Sequence, residues 1–120
     1  MLNLLEEVID KENGFVVTDH LAALLRIDKQ ELAYTIGVSR DALTKSSRLT
    51  AKKTQNRLKE QVEILNRILN WTGSLAGAFA WYRSQPIPSF GDKTAEELVK
   101  EGRAKAVRNY LSRINEGGYA

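Results

Sequence analysis

Cysteine is absent from this chain of 120 residues, and His20 is the only histidine. The first absence excludes disulfides, iron–sulfur clusters, thiolate zinc sites and cysteine nucleophiles. The second excludes histidine-based metal sites and Ser-His triads. Long apolar runs are missing as well. No stretch approaches the roughly 18 residues that a membrane span requires, and no basic-then-apolar leader opens the chain. A soluble, cytoplasmic protein with no membrane partner is expected. Catalytic groupings are scarce too. Glu6-Glu7 and Glu96-Glu97 are adjacent pairs in first turns or on exposed faces, where carboxylates offset the helix dipole or are simply solvated. Neither combines with a histidine, a cysteine or a phosphate-cradling glycine loop. The chain is expected not to be an enzyme, and it implies no cofactor, metal or small-molecule substrate.

What is present is charge, unevenly placed. The net value is +3. Residues 1–50 carry six Lys/Arg against eight Asp/Glu, while residues 51–120 carry twelve against seven. Between Gly37 and Lys59 stand Arg40, Lys45, Arg48, Lys52, Lys53, Arg57 and Lys59, with Asp41 as the only acid. Such a local excess is either a solvated helix face or the footprint that phosphate backbones attract.

Two prolines and eight glycines punctuate the chain sparingly, and β-branched runs are nearly absent, so an all-α fold is expected. Leu2, Leu5, Val8 and Ile9 recur at helical spacing, and Gly14 closes that segment. Phe15-Val16-Val17 reads as an extended connector, and Thr18-Asp19 as the cap of a helix carrying Leu21, Leu24 and Leu25. Asp28 with Glu31 has the pattern of a capping box before Leu32, Ala33 and Ile36. A long amphipathic helix follows from about 51 to 71, with Leu58, Val62, Leu65, Ile68 and Leu69 on one stripe. Gly73 ends it, and Ser74 caps a helix carrying Phe79 and Trp81 inward. Tyr82 and Trp71 are expected at a subunit or partner surface. Pro86-Ile87-Pro88 forces a break, because proline disfavours helical geometry in the residue before it, and Ile87 is expected to be exposed on that loop. Thr94 and Glu97 form a second capping box. A last helix places Val107, Tyr110, Leu111 and Ile114 inward before Gly117-Gly118 stops it. The composition shift near Thr50 divides the chain into 1–50 and 51–120.

A helix-turn-helix needs a small residue at the helix crossing and a glycine in the turn. Ala33, Gly37, Val38 and Leu43 have that spacing. Ser39 would then start the recognition helix, with Arg40, Asp41, Thr44 and Lys45 projecting outward. Arg40 can contact guanine bidentately, and Ser39, Thr44 and Lys45 suit phosphates or adjustable polar contacts. Gln30 and Arg48 complete the expected DNA-facing set. Ser46 stands where an apolar anchor is usual. If Leu49 takes that role, the helix is longer or its end irregular.

With the second half in view, the chain resembles the Xre/MbcA/ParS-type antitoxins. Gln30-Glu31-Leu32-Ala33 followed by Ile36-Gly37-Val38-Ser39-Arg40 resembles their Xre-like part. Arg57-Leu58, Ile64-Leu65, Arg67, Ala80-Trp81, Phe90-Gly91, Thr94, Leu98, Gly102, Val107, Leu111, Ile114 and Gly117 resemble their toxin-binding part. Ala95 stands where the family often has proline, and alanine is also a good first-turn residue. The resemblance implies an N-terminal Xre-like helix-turn-helix bundle over 1–50 and a small helical toxin-binding domain over 51–120. It implies a type II antitoxin that silences a toxin, commonly a RES-domain enzyme consuming NAD, and represses its own operon as a homodimer on operator DNA. Toxin binding would then fall on the C-terminal end, Asn115, Gly117, Gly118, Tyr119 and Ala120, supported by Arg103 and Arg108. The alternative is a stand-alone helix-turn-helix transcriptional regulator whose C-terminal domain mediates dimerisation or another protein contact.

Overall fold

The computed structural model describes residues 3–115, the side chains of Ser46, Ser47 and Asn115 excepted. Helices account for the regular structure: α1 (Leu4–Val8), α2 (Thr18–Leu25), α3 (Lys29–Ile36), α4 (Asp41–Thr44), α5 (Ser46–Leu49), α6 (Lys52–Thr72), α7 (Leu75–Ser84), α8 (Ala95–Lys100) and α9 (Ala104–Asn115), with a 3-10 turn over Pro88–Phe90. The fold is all-α, as the periodicity predicts. Among the described residues no helix is long and apolar enough to cross a membrane.

The central element is α6, 21 residues and so roughly 30 Å long. Its apolar stripe is the expected one: Leu58, Val62, Leu65, Ile68 and Leu69 are buried, joined by Ile64. Helices α1, α7 and α9 pack on it, and α3 and α8 touch it and each other. Each fully buried leucine or isoleucine is worth about 1.5–3 kcal/mol, so this stripe holds the assembly together. One hydrophobic cluster joins Leu32 and Ile36 of α3 to Leu58 and Leu65 of α6 and to Leu98 and Leu111 of α8 and α9. The core therefore runs across position 50 without interruption.

Local signals operate where they were readable. Ser74 accepts a hydrogen bond from Gly77 N at 3.0 Å. Thr94 and Glu97 form the complete reciprocal capping box. Asp28 accepts from Glu31 N at 2.8 Å, but the Glu31 carboxylate turns instead to Arg83, 2.6 Å away. Val16 makes an isolated antiparallel bridge with Ile9, which is the extended connector expected at 15–17.

Several side chains face differently from the sequence reading. Helix α1 buries Leu4 and Val8 and leaves Leu5 exposed; Leu2 lies outside the described residues. Thr18 is buried inside α2, and Val17, not a capping side chain, precedes it. Helix α7 turns Ala78 and Tyr82 inward, four residues apart on one face, while Phe79 and Trp81 are only half-buried. Ile87 is fully buried, because the loop closes on itself: Ile87 N donates to Lys93 O at 2.9 Å and Asp92 N to Ile87 O at 3.1 Å. Trp71 is exposed as expected and meets Trp81 edge-to-face, with ring centroids 6.2 Å apart.

Candidate functional site

The turn after α3 is built on Gly37, whose φ of 74° lies in the left-handed region. Val38 N returns to Ala33 O at 3.2 Å and closes the helix end. A second constraint acts at the same residue. A Cβ on Gly37 would stand 2.9 Å from Lys100 Cα, so the end of α3 touches the backbone of α8's last residue. Arg57 of α6 reaches into this junction. Its Nη1 donates to Ile36 O at 2.8 Å and to Lys100 O at 3.2 Å. These are the carbonyls that two helix C-termini leave without intrahelical partners, and a guanidinium also meets the negative ends of both helix dipoles. Arg57 is thus a clamp between the end of α3 and the α8–α9 turn. Its sequence signal was an arginine beside the apolar stripe of a long amphipathic helix.

Beyond the turn, the expected recognition helix is a single helical turn, α4. Ser39 was expected to start it, but α4 begins at Asp41. Arg40 precedes α4 in helical conformation, with no side-chain cap, and Ala42 N bonds the Ser39 carbonyl at 3.0 Å. Lys45 is extended (φ −104°, ψ 121°) and breaks the helix before α5. Leu49 packs half-buried against the core, so the irregular end expected from Ser46 is present. Ala42 and Leu43 are buried, whereas Gln30, Ser39, Arg40, Asp41, Thr44, Lys45 and Arg48 are all exposed. The structure brings Asp41 and Arg48 together, with Oδ2 and Nη1 3.7 Å apart. Arg40 and Lys45 make no ion pair among the described residues.

The segment is anchored from behind. Gln55 of α6, 3% exposed, accepts from Val16 N at 2.8 Å and donates to Leu49 O at 3.0 Å. A second buried polar set joins the halves deeper down. Tyr82 donates its hydroxyl to Thr35 O at 2.8 Å; Thr35 Oγ1 donates to Leu32 O at 2.7 Å and accepts from Gln61 Nε2 at 2.8 Å. Burial, reinforced by the charge of Glu96, pushes the Tyr82 phenol above its ordinary range, so it stays a hydroxyl donor.

Arg83 completes the seam. Its guanidinium lies 2.6 Å from Glu31 and 2.8 Å from Glu96, and 5.5 Å from the centre of the Phe79 ring. Burial raises the Glu96 carboxyl above its usual range, against the opposing pull of Arg83. Sequence reasoning had passed over Gln55, Gln61 and Arg83, because their partners lie far away along the chain, and had read Glu96 as a first-turn or solvated carboxylate, whereas it is buried against Arg83.

In the α8–α9 turn, Arg103 is exposed, 3.6 Å from Glu101 and 5.6 Å from the centre of the Phe90 ring. Arg108 is half-buried, 3.9 Å from Glu60 and 4.0 Å from Glu63. Both arginines therefore have internal partners. Glu101 is held below the usual carboxylate range by its hydrogen bond with Lys93. Asn115 ends α9, and Gly117, Gly118, Tyr119 and Ala120 lie outside the described residues.

The family described as the antitoxin Xre/MbcA/ParS C-terminal toxin-binding domain matches residues 65–117. The matched segment takes in the second half of α6, then α7, α8 and α9. No match is found among curated proteins or solved structures.

Proposed function

Residues 65–117 belong to the Xre/MbcA/ParS antitoxin C-terminal toxin-binding domains, and from that premise we propose how this antitoxin works. It neutralises a RES-domain, NAD-consuming toxin in the cytoplasm and represses its own operon by binding DNA as a homodimer. The family match supports the binding of a toxin; the RES-domain, NAD-consuming partner is what the family resemblance of the sequence implies. The second activity rests on the glycine-turned pair α3–α4, which leaves Gln30, Ser39, Arg40, Asp41, Thr44, Lys45 and Arg48 exposed on one stretch of chain. A single helix-turn-helix spans too few base pairs for useful specificity, which favours a two-fold dimer reading paired half-sites.

Asn115, Gly117, Gly118, Tyr119 and Ala120 enter the toxin's cleft, with Arg103 and Arg108 at its rim. Arg40 is the base-reading residue, since it is exposed and its charge is not committed to an acid among the described residues.

Two measurements test this. Co-expression with the neighbouring gene product should yield a complex that purifies together; separate elution of the two proteins would overturn the toxin reading. Arg40→Ala should weaken binding to the DNA upstream of the gene by about 1–3 kcal/mol and spare random duplex. Equal losses on both would move Arg40 to the phosphate backbone.

A further inference from the structure

The exposed amine groups that follow the recognition segment have no account in the fold. Lys52, Lys53 and Lys59 on α6 are exposed and form no ion pair among the described residues. Lys52 and Lys53, with Asn56 and Arg57, line an open groove of about 490 Å³ that Glu60 and Gly102 complete. Lys52, Asn56 and Lys59 share one face of α6, spaced by four and three residues. Glu60 is the single acid in that lining, and it faces Arg108 of α9 at 3.9 Å.

The placement of the lysines is unfavourable for folding. The first turn of α6 contains no acidic residue and no capping side chain, and Lys52 and Lys53 stand there against the positive end of a 21-residue helix. Cations belong at the other end of a helix dipole. An anion in the groove would reverse the sign of this interaction.

The groove is also fixed relative to the recognition segment. Ala51 N donates to Arg48 O at 3.0 Å, and Gln55, one turn into α6, holds Leu49 O. The backbone beneath Lys52 and Lys53 is thereby mounted directly beyond Arg48, while their long side chains stay free to adjust. Rigid mounting with adjustable cationic ends suits a regularly charged polyanion.

We infer that the N-terminal part of α6, through Lys52, Lys53 and Asn56 in the groove and Lys59 on the face it shares with Lys52 and Asn56, grips the sugar-phosphate backbone of duplex DNA next to the segment contacted by α4. This rests on the DNA-binding reading above and adds a division of labour to it. The α6 groove supplies affinity without sequence preference, and Arg40 supplies the discrimination. Backbone contacts of this kind fix register but carry no base information.

The test compares the full-length protein with Lys52→Gln/Lys53→Gln, titrated across salt concentrations on two duplexes of equal length. One duplex carries the sequence upstream of the gene; the other is random. Each phosphate neutralised contributes about 0.9 to the slope of log K against log salt. The double variant should therefore flatten the slope by about 2 on both duplexes and lose affinity by the same factor on each. Its thermal midpoint should be equal to or above that of the unaltered protein, since two dipole-opposed charges are gone. An unchanged slope, with DNA binding intact, would overturn the groove and leave the DNA-binding reading standing. A loss confined to the upstream duplex would also overturn it, because the lysines would then be reading bases. Failure of the unaltered protein to bind either duplex at low salt would overturn both readings together.

Discussion

The stretch from 38 to 51 and the stretch from 74 to 100 are built by opposite means. In the first, two single-turn helices flank an extended Lys45, and neither has a side-chain cap. In the second, α7 starts on Ser74 and α8 on the Thr94–Glu97 capping box, each helix end specified by residues within a few positions. Helices of four residues are far too short to persist alone. The 38–51 stretch therefore takes its shape from Leu43 and Leu49 packing on the core, with Ala42 buried, and from the grip of Gln55. The proposed DNA-reading element depends for its geometry on the body that carries the toxin-binding domain.

The sharpest way to break this contrast is at Gly37. Alanine there meets both a left-handed backbone and the Lys100 contact, and should cost about 3 kcal/mol, combining roughly 1–2 for the conformation with the steric displacement. Gly73→Ala is the matched control, since its φ is 73° with nothing within 4 Å of the added Cβ. It should cost only about 1 kcal/mol. Thermal unfolding of the two variants measures the difference; equal losses would remove the Gly37–Lys100 approach from the account.

Gln55→Ala is the next largest. It strips the buried Val16 amide and the Leu49 carbonyl of their side-chain partner, at a cost of about 2 kcal/mol. Protection from hydrogen exchange should fall first in 46–51 and only later in α7 and α8. Loss spread evenly over the chain would contradict the dependence described here.

The smallest effect is in pH. Glu96 is buried, and its folded carboxyl binds its proton more tightly than an ordinary glutamate. Its contribution is thus fully present below the ordinary glutamate range and is lost as pH rises through its higher folded value. Glu101, exposed and held low by Lys93, runs the other way: its contribution is lost as pH falls through the lowered value. Glu96→Gln should remove the first component, leaving a stability profile that declines less between mildly acidic and neutral pH. A profile parallel to that of the unaltered protein would count against the raised carboxyl.

The same contrast explains what could be read from the sequence. Gly73-Ser74 and Thr94–Glu97 were legible because donor, acceptor and chain reversal all fall within a few residues. The amphipathic stripe of α6 was legible because its period repeats over about three turns, from Leu58 to Leu69. The phase of α7 was not, since Tyr82 points inward to meet Thr35, 47 residues away. Ile87 was misplaced for a similar reason: two flanking prolines announce a loop but not that the loop folds back over its own isoleucine. For the candidate site, Gly37 and the exposed set from Ser39 to Arg48 could be picked out from local spacing. The contact with Lys100 could not, and the clamp by Arg57 showed only as an arginine beside the α6 stripe, because the carbonyls it holds lie 21 and 43 residues away.

The clamp has an evolutionary consequence. Arg57 belongs to α6, while the carbonyls it holds belong to α3 and α8. A recombination event joining the first 50 residues to an unrelated partner-binding half would leave Ile36 O without its guanidinium and expose Leu32 and Ile36. Exchange of whole halves is therefore closed to this architecture. Change in this chain has to come through substitutions that keep the seam of Arg57, Ile36 and Lys100 intact.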